Sequence, residues 1–203
     1  MKNILFKILF LLIIQMSFSC TPTKFHIKEF TSPEFKKEVI RTVAVFDVKG
    51  DELSKFDKRQ ITDMFFSKIK YNEVALFDYS DFYNEENNES YLSSWDIFWN
   101  NYLNSKEVDA VTLFEISEKI KTNAVLQIAV VDVEKIFGQH RKTIGQTTAN
   151  LKLALFSLKS GKLLWEADVT GTQANVHSDQ VIPKLIEAVN VAIINIADKL
   201  PFN

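Results

Sequence analysis

The sequence predicts an α/β (α+β) fold, a mixed sheet with helices packed on it in the order β-α-β-α-β-β-β-α. Three observations predict it. Short apolar, β-branched runs recur at 42–48, 74–77 and 124–133. Between them lie stretches with apolar residues at helical spacing. Near the end, two strand-like segments are joined by Ser160-Gly161, a turn dipeptide.

The first strand is Thr42-Val-Ala-Val-Phe-Asp-Val48, closed by Gly50. Phe56, Ile61, Phe65 and Ile69 then mark an amphipathic helix starting near Ser54. Residues 73–79 read as a second strand, and 80–90 as an acidic, Asn-rich loop. Helices are expected over 92–103 and 107–121, the latter with Ala110, Leu113, Ile116 and Ile120 on one face. The stretch 124–133 is nearly all apolar, as a central strand covered on both faces must be. Gly138 to Lys142 is a turn, 143–158 alternates in part, and 163–171 is its hairpin partner. The last element is a helix over 178–200, with Pro183 in its first turn and a stripe of Val181, Leu185, Val189, Ile193 and Ile196.

Ahead of this domain (41–203) stand two segments of another kind. Lys2 and Lys7 open the chain, Ile8–Ile14 is an unbroken apolar run, and Ser17 and Ser19 follow. That is the layout of a secretory signal over 1–19; a spanning helix needs about 20 apolar residues. Cys20, the one cysteine, sits where cleavage falls. It has no disulfide partner, so it calls for another explanation. Met16-Ser-Phe-Ser-Cys20 resembles the lipobox of bacterial lipoproteins, although Ser17 and Phe18 stand where the family has Leu and a small residue. The resemblance implies acylation of Cys20, palmitate-type chains holding it in a membrane; two or more give stable anchoring. Residues 20–40, polar and carrying Pro22 and Pro33, read as a tether, with partial docking as the alternative because Phe25, Ile27 and Phe30 are spaced for an extended segment.

Without residues 1–19 the chain has 22 Lys and Arg against 26 Asp and Glu, a net charge of −4. No basic stripe emerges, which argues against a nucleic-acid partner. With no cysteine past Cys20, neither a disulfide nor a thiolate metal site can form.

Three stretches carry a resemblance over about 41–200. They are the opening strand 42–48, Ile116-Ser-Glu-Lys-Ile-Lys-Thr-Asn-Ala-Val-Leu126, and Leu153-Ala-Leu-Phe-Ser-Leu-Lys-Ser-Gly-Lys-Leu-Leu-Trp-Glu166. Together they resemble the domain shared by the CsgG-like curli-secretion lipoprotein, the TolB amino-terminal domain and the lipoprotein activators of penicillin-binding proteins. The shared motifs are structural. Pore-forming members add long amphipathic hairpins, and no pair of ~10-residue alternating segments remains here for that purpose.

Motifs for chemistry are few. His26, His140 and His177 fall in the tether and two apparent loops, outside any His-Glu-x-x-His pair. Five glycines in all make a phosphate cradle hard to build. Asp81, Glu85, Glu86 and Glu89 lack the alternation and central Gly of a calcium loop. Asp47 and Asp132 work as a pair only if the fold joins them. No catalytic residue, metal site or cofactor is expected.

Trp95, Phe98, Trp99 and Tyr102 recur at i, i+3, i+4 and i+7, so on a helix all four face one way. Such a face serves as a protein interface, as an aromatic belt at a lipid surface, or as core against the sheet.

The expectation is a non-enzymatic interaction or accessory module. It is anchored through Cys20 in the outer membrane, faces the periplasm and acts on an unidentified envelope protein. Thr21, rather than Asp, follows Cys20, and by resemblance to lipoprotein sorting that argues against inner-membrane retention. The alternatives are a ring-forming homo-oligomer in an outer-membrane export assembly and, more weakly, an envelope enzyme.

Overall fold

The computed structural model describes residues 23–69, 74–79, 89–138, 144–175 and 181–202. A six-stranded mixed sheet runs in the order β1-β6-β5-β4-β2-β3. Its strands are β1 (Thr23–Thr31), β2 (Thr42–Val45), β3 (Ala75–Asp78), β4 (Ala124–Ile136), β5 (Gln146–Ser157) and β6 (Leu163–Ala174). Four helices cover it: α1 (Lys55–Lys68), α2 (Glu89–Ser105), α3 (Ala110–Ser117) and α4 (Leu185–Ala197). The mixed α+β architecture is the one expected from the sequence.

β2 is the pivot. It pairs in parallel with β3 on one side and β4 on the other, while every other pairing is antiparallel. The chain leaves β2 through α1 to reach β3, then returns through α2 and α3 to β4. These two crossovers lie on opposite faces of the sheet. α1 and α4 pack on one face around Val43, Leu126, Ile128, Leu151, Leu153 and Val169. α2 and α3 pack on the other, around Ala44, Val125, Ala154 and Phe156. Val, Leu and Ile at alternate positions of β4 and β5 supply both faces at once, which is why those strands read as continuous apolar runs.

Local signals start the helices. Ser54 and Asp57 form a capping box: each side chain accepts the other residue's backbone N–H, both at 3.1 Å. Asp109 caps α3 by accepting from the Val111 N–H at 2.9 Å. Gly161 turns the β5–β6 hairpin with φ +67°, a conformation L side chains rarely adopt. Gly171 on β6 serves close approach instead. A Cβ there would stand 2.3 Å from the Ala188 carbonyl oxygen and 2.6 Å from the Ala192 nitrogen, so α4 lies directly on the β6 backbone.

Two elements differ from the sequence reading. Thr23–Thr31, inside the expected tether, is an edge strand paired with β6 over nine residues. The inner half of β6 is buried, and its outward N–H and C=O groups need partners. A polar segment supplies them, and only Ile27 leans on the core. The last helix starts at Leu185 rather than Ser178 and ends at Ala197. Pro183 precedes the helix. Its carbonyl accepts from Thr147 Oγ1 at 2.6 Å, which ties that stretch to the sheet. Among the described residues, no helix is long and apolar enough to cross a membrane.

Candidate functional site

Every feature of the α2 face follows from where its four aromatic side chains went. Trp95, Phe98, Trp99 and Tyr102 are all buried, at 1%, 2%, 2% and 0% exposure. They pack inward on Phe46, Phe156 and the sheet, so of the three roles the sequence left open for this face the structure shows core. Trp95 stacks on Phe98 with centroids 4.8 Å apart, and Phe46 meets Trp95 edge-on at 4.9 Å. Tyr102 meets Phe156 edge-on at 4.9 Å.

Two polar centres are built into this aromatic layer. Gln127, fully buried on β4, accepts from Trp95 Nε1 at 2.7 Å. Its amide nitrogen donates to the carbonyl oxygens of Asp47 (2.7 Å) and Ile128 (2.9 Å). One side chain thus joins α2, β4 and the segment after β2. The second centre is ionic. Lys152, 5% exposed, reaches Asp168 at 2.6 Å and Glu166 at 2.9 Å. Glu166 also accepts from the Tyr102 hydroxyl at 2.6 Å and from Lys106 at 3.2 Å.

This network sets its own charges. Burial alone would raise the Glu166 carboxyl, but the hydrogen bonds from Tyr102 and Lys152 outweigh it and bring it down to about 2. Burial, then the hydrogen bond to Glu166, pushes the Tyr102 hydroxyl well above its ordinary range. Burial also depresses the Lys106 ammonium, with neighbouring Lys152 adding to the effect. Burial opposes the Lys152 charge, yet its bond to Asp168 and those to its other neighbours leave it raised.

A crevice of about 400 Å³ opens beside α2, where the chain leaves β2. Asp96, Trp99, Asn100 and Leu103 line it from the helix, and Lys49 and Gly50 from the loop after β2. It lies outside the carboxyl end of β2, where the crossovers diverge, a position at which open α/β sheets bind ligands. Both lysines that line it stand by carboxylates, however. Lys49 pairs with Asp96, and Lys58 stands 4.0 Å from Asp47. Burial raises the Asp47 carboxyl against the pull of those lysines. The indole N–H of Trp99 is buried with no hydrogen-bond partner.

Past α2 and α3, the same sheet face is uncovered and polar. Asn150 donates to Asp132 at 3.1 Å and accepts from the Thr170 hydroxyl at 2.7 Å, and Thr148 meets Thr172 at 3.0 Å. Asp47 and Asp132 therefore have separate partners rather than forming a pair. His26 sits in β1 among exposed residues. Cys20, His140, His177, Asp81, Glu85 and Glu86 lie outside the described residues, and Glu89 opens α2. Among the described residues no group of three or more His, Cys, Asp or Glu could hold a metal ion.

The residues that sequence reading missed are Gln127, Lys152 and Glu166. Gln127 interrupts the apolar first half of β4, and Lys152 and Glu166 are charges with apolar neighbours on either side; those interruptions were the available signal.

Among the described residues, β1 is a long strand open to another molecule. It ends the sheet, and eight of its nine residues are exposed. The Ser32 N–H donates to the Leu164 carbonyl at 2.9 Å, continuing the register in which Thr31 faces Trp165. By antiparallel alternation, even-numbered residues bond β6, while the N–H and C=O of Phe25, Ile27 and Glu29 point away from it.

No family model matches the chain, and no curated protein matches it. Among solved structures, the PelC dodecamer from Paraburkholderia phytofirmans is similar at 12% identity and a TM-score of 0.49, covering 89% of this chain and 100% of that one. Lipoprotein GNA1162 from Neisseria meningitidis is similar at 12% identity and a TM-score of 0.42, over 78% of this chain and 99% of that one. The LpoB C-terminal domain from Salmonella enterica is similar at 9% identity and a TM-score of 0.31, over 64% and 81%.

Proposed function

We propose that the chain is an envelope lipoprotein anchored through acylated Cys20, and that it acts as a non-enzymatic docking module for an envelope protein, with the β1 edge as the contact. It sits in the outer membrane and faces the periplasm. One observation carries the reading. A nine-residue edge strand stands with its outer row of backbone groups facing away from the sheet, a template on which a partner strand can add. Lys24, Lys28 and Glu29 along it discourage indiscriminate pairing and favour a complementary partner.

The test is a photo-crosslinking side chain at Phe25, with and without Glu29→Pro. Proline at an outward-facing position removes no bond to β6 and should cost the fold about 1 kcal/mol or less. The expected result is a discrete adduct that Glu29→Pro abolishes while the melting temperature holds. An adduct unaffected by the proline, or one that forms only from crevice positions such as Asn100, would contradict it.

The ring-forming reading keeps one supporting observation. β1 and β3 close the sheet at opposite sides, the layout needed for head-to-tail pairing between copies. A crosslinked ladder in multiples of the chain's own mass would favour it.

A further inference from the structure

Among the described residues, three large apolar side chains stand exposed at one end of the sheet. The register puts Thr23 opposite Gln173, Gln173 opposite Thr147, and Thr147 opposite Lys135. The start of β1, the end of β6, the start of β5 and the end of β4 therefore share that end. Just past this row stand Phe137, Ile144 and Val181, at 68%, 52% and 55% exposure. Val181 is fixed there: its carbonyl accepts from Asn175 Nδ2 at 3.1 Å, and the Asn175 N–H donates to the Gly145 carbonyl at 2.8 Å.

Thr23 stands at this same end, and Cys20 precedes it by three residues in the sequence. Three residues span at most about 10 Å. Acyl chains on Cys20 would therefore hold this end of the sheet, rather than a distant tether, against the bilayer.

We propose that this end of the sheet lies on the membrane surface, with Phe137, Ile144 and Val181 entering the headgroup boundary beside the acyl chains. The inference rests on the lipid-anchor reading and adds an orientation to it. Large apolar side chains at the interface supplement a lipid anchor by burying area in the same layer. Exposed Lys24 and Lys184 flank the patch with stems long enough to keep their charges in the headgroup region. β1 then rises from the membrane over about 30 Å, so that its pairing edge faces periplasmic partners along its length.

The experiment uses the full chain, processed in its own cells and reconstituted in vesicles of phosphatidylethanolamine and phosphatidylglycerol. Single cysteines at Ile144, Val181 and, at the far end of β1, Phe30 carry an environment-sensitive fluorophore. Doxyl-labelled lipid serves as the quencher. Both Ile144→Cys and Val181→Cys should be quenched severalfold more than Phe30→Cys, so one misfolded variant does not decide the result. Equal weak quenching at all three sites, in protein whose mass shows the acyl chains, would overturn the orientation and leave the anchor standing. A shielded Ile144 label without lipid quenching, joined to a second chain by crosslinking, would overturn it in favour of a contact between copies. A mass without acyl chains would overturn the anchor and this inference together.

Discussion

The two faces of one sheet are packed by different means. Under α1 and α4 the layer is chiefly aliphatic and small, and α4 descends onto the bare backbone of Gly171. Under α2 and α3 the layer is aromatic and carries buried polar groups: Gln127, Lys152, Tyr102 and the unpartnered Trp99 indole. Small aliphatic packing is sensitive to added volume, and polar aromatic packing to lost partners. The first face therefore fixes the fold. The second ties α2 to the sheet through a few hydrogen bonds and leaves a crevice beside them.

The largest effect should come from breaking the tight face. Gly171→Val drives a branched side chain into the α4 backbone, and overpacking against backbone should cost ~3 kcal/mol or more. Chemical denaturation should show that loss; a change below about 1 kcal/mol would mean α4 stands off the sheet. On the opposite face, Gln127→Leu keeps volume but strands the Trp95 N–H and the Asp47 carbonyl. Two orphaned groups should cost about 2–3 kcal/mol. Because the loss is local to α2, indole fluorescence should shift as well as the midpoint.

The smallest effect concerns charge. Glu166 has its folded-state carboxyl lowered to about 2, so its contribution is complete above the ordinary glutamate range near 4.5 and is lost as pH falls toward 2. For a partly exposed group this amounts to roughly 1–2 kcal/mol after screening. The stability gap between the natural chain and Glu166→Gln should therefore be level from pH 7 to 5 and shrink below that. A gap that widens in acid would contradict the network.

What the sequence made legible follows the same division. β2, β4 and the β5–β6 hairpin were readable because each buries apolar side chains at strand spacing, and the turn residues mark their ends. β1 was legible only as extended spacing within a tether, because its pairing comes from the unpaired edge of β6 rather than from its own composition. The start of α4 was misplaced because Pro183 suits a first helical turn equally well; what decides is the distant Thr147 hydroxyl on its carbonyl. The i, i+3, i+4, i+7 spacing showed that the four aromatics of α2 share a face, but no local pattern told whether that face meets the sheet or solvent. Lys152 and Glu166 were visible as charges within strands, but their meeting depends on the β5–β6 register.

The docking proposal rests on the proposed lipid anchor at Cys20. The most direct measurement is the mass of the mature protein extracted from membranes, beside Cys20→Ala. The account predicts a mature chain beginning at Cys20 with diacylglycerol-sized added mass, and an unprocessed variant. A mature chain without lipid mass, or one released in soluble form after cleavage elsewhere, would contradict it.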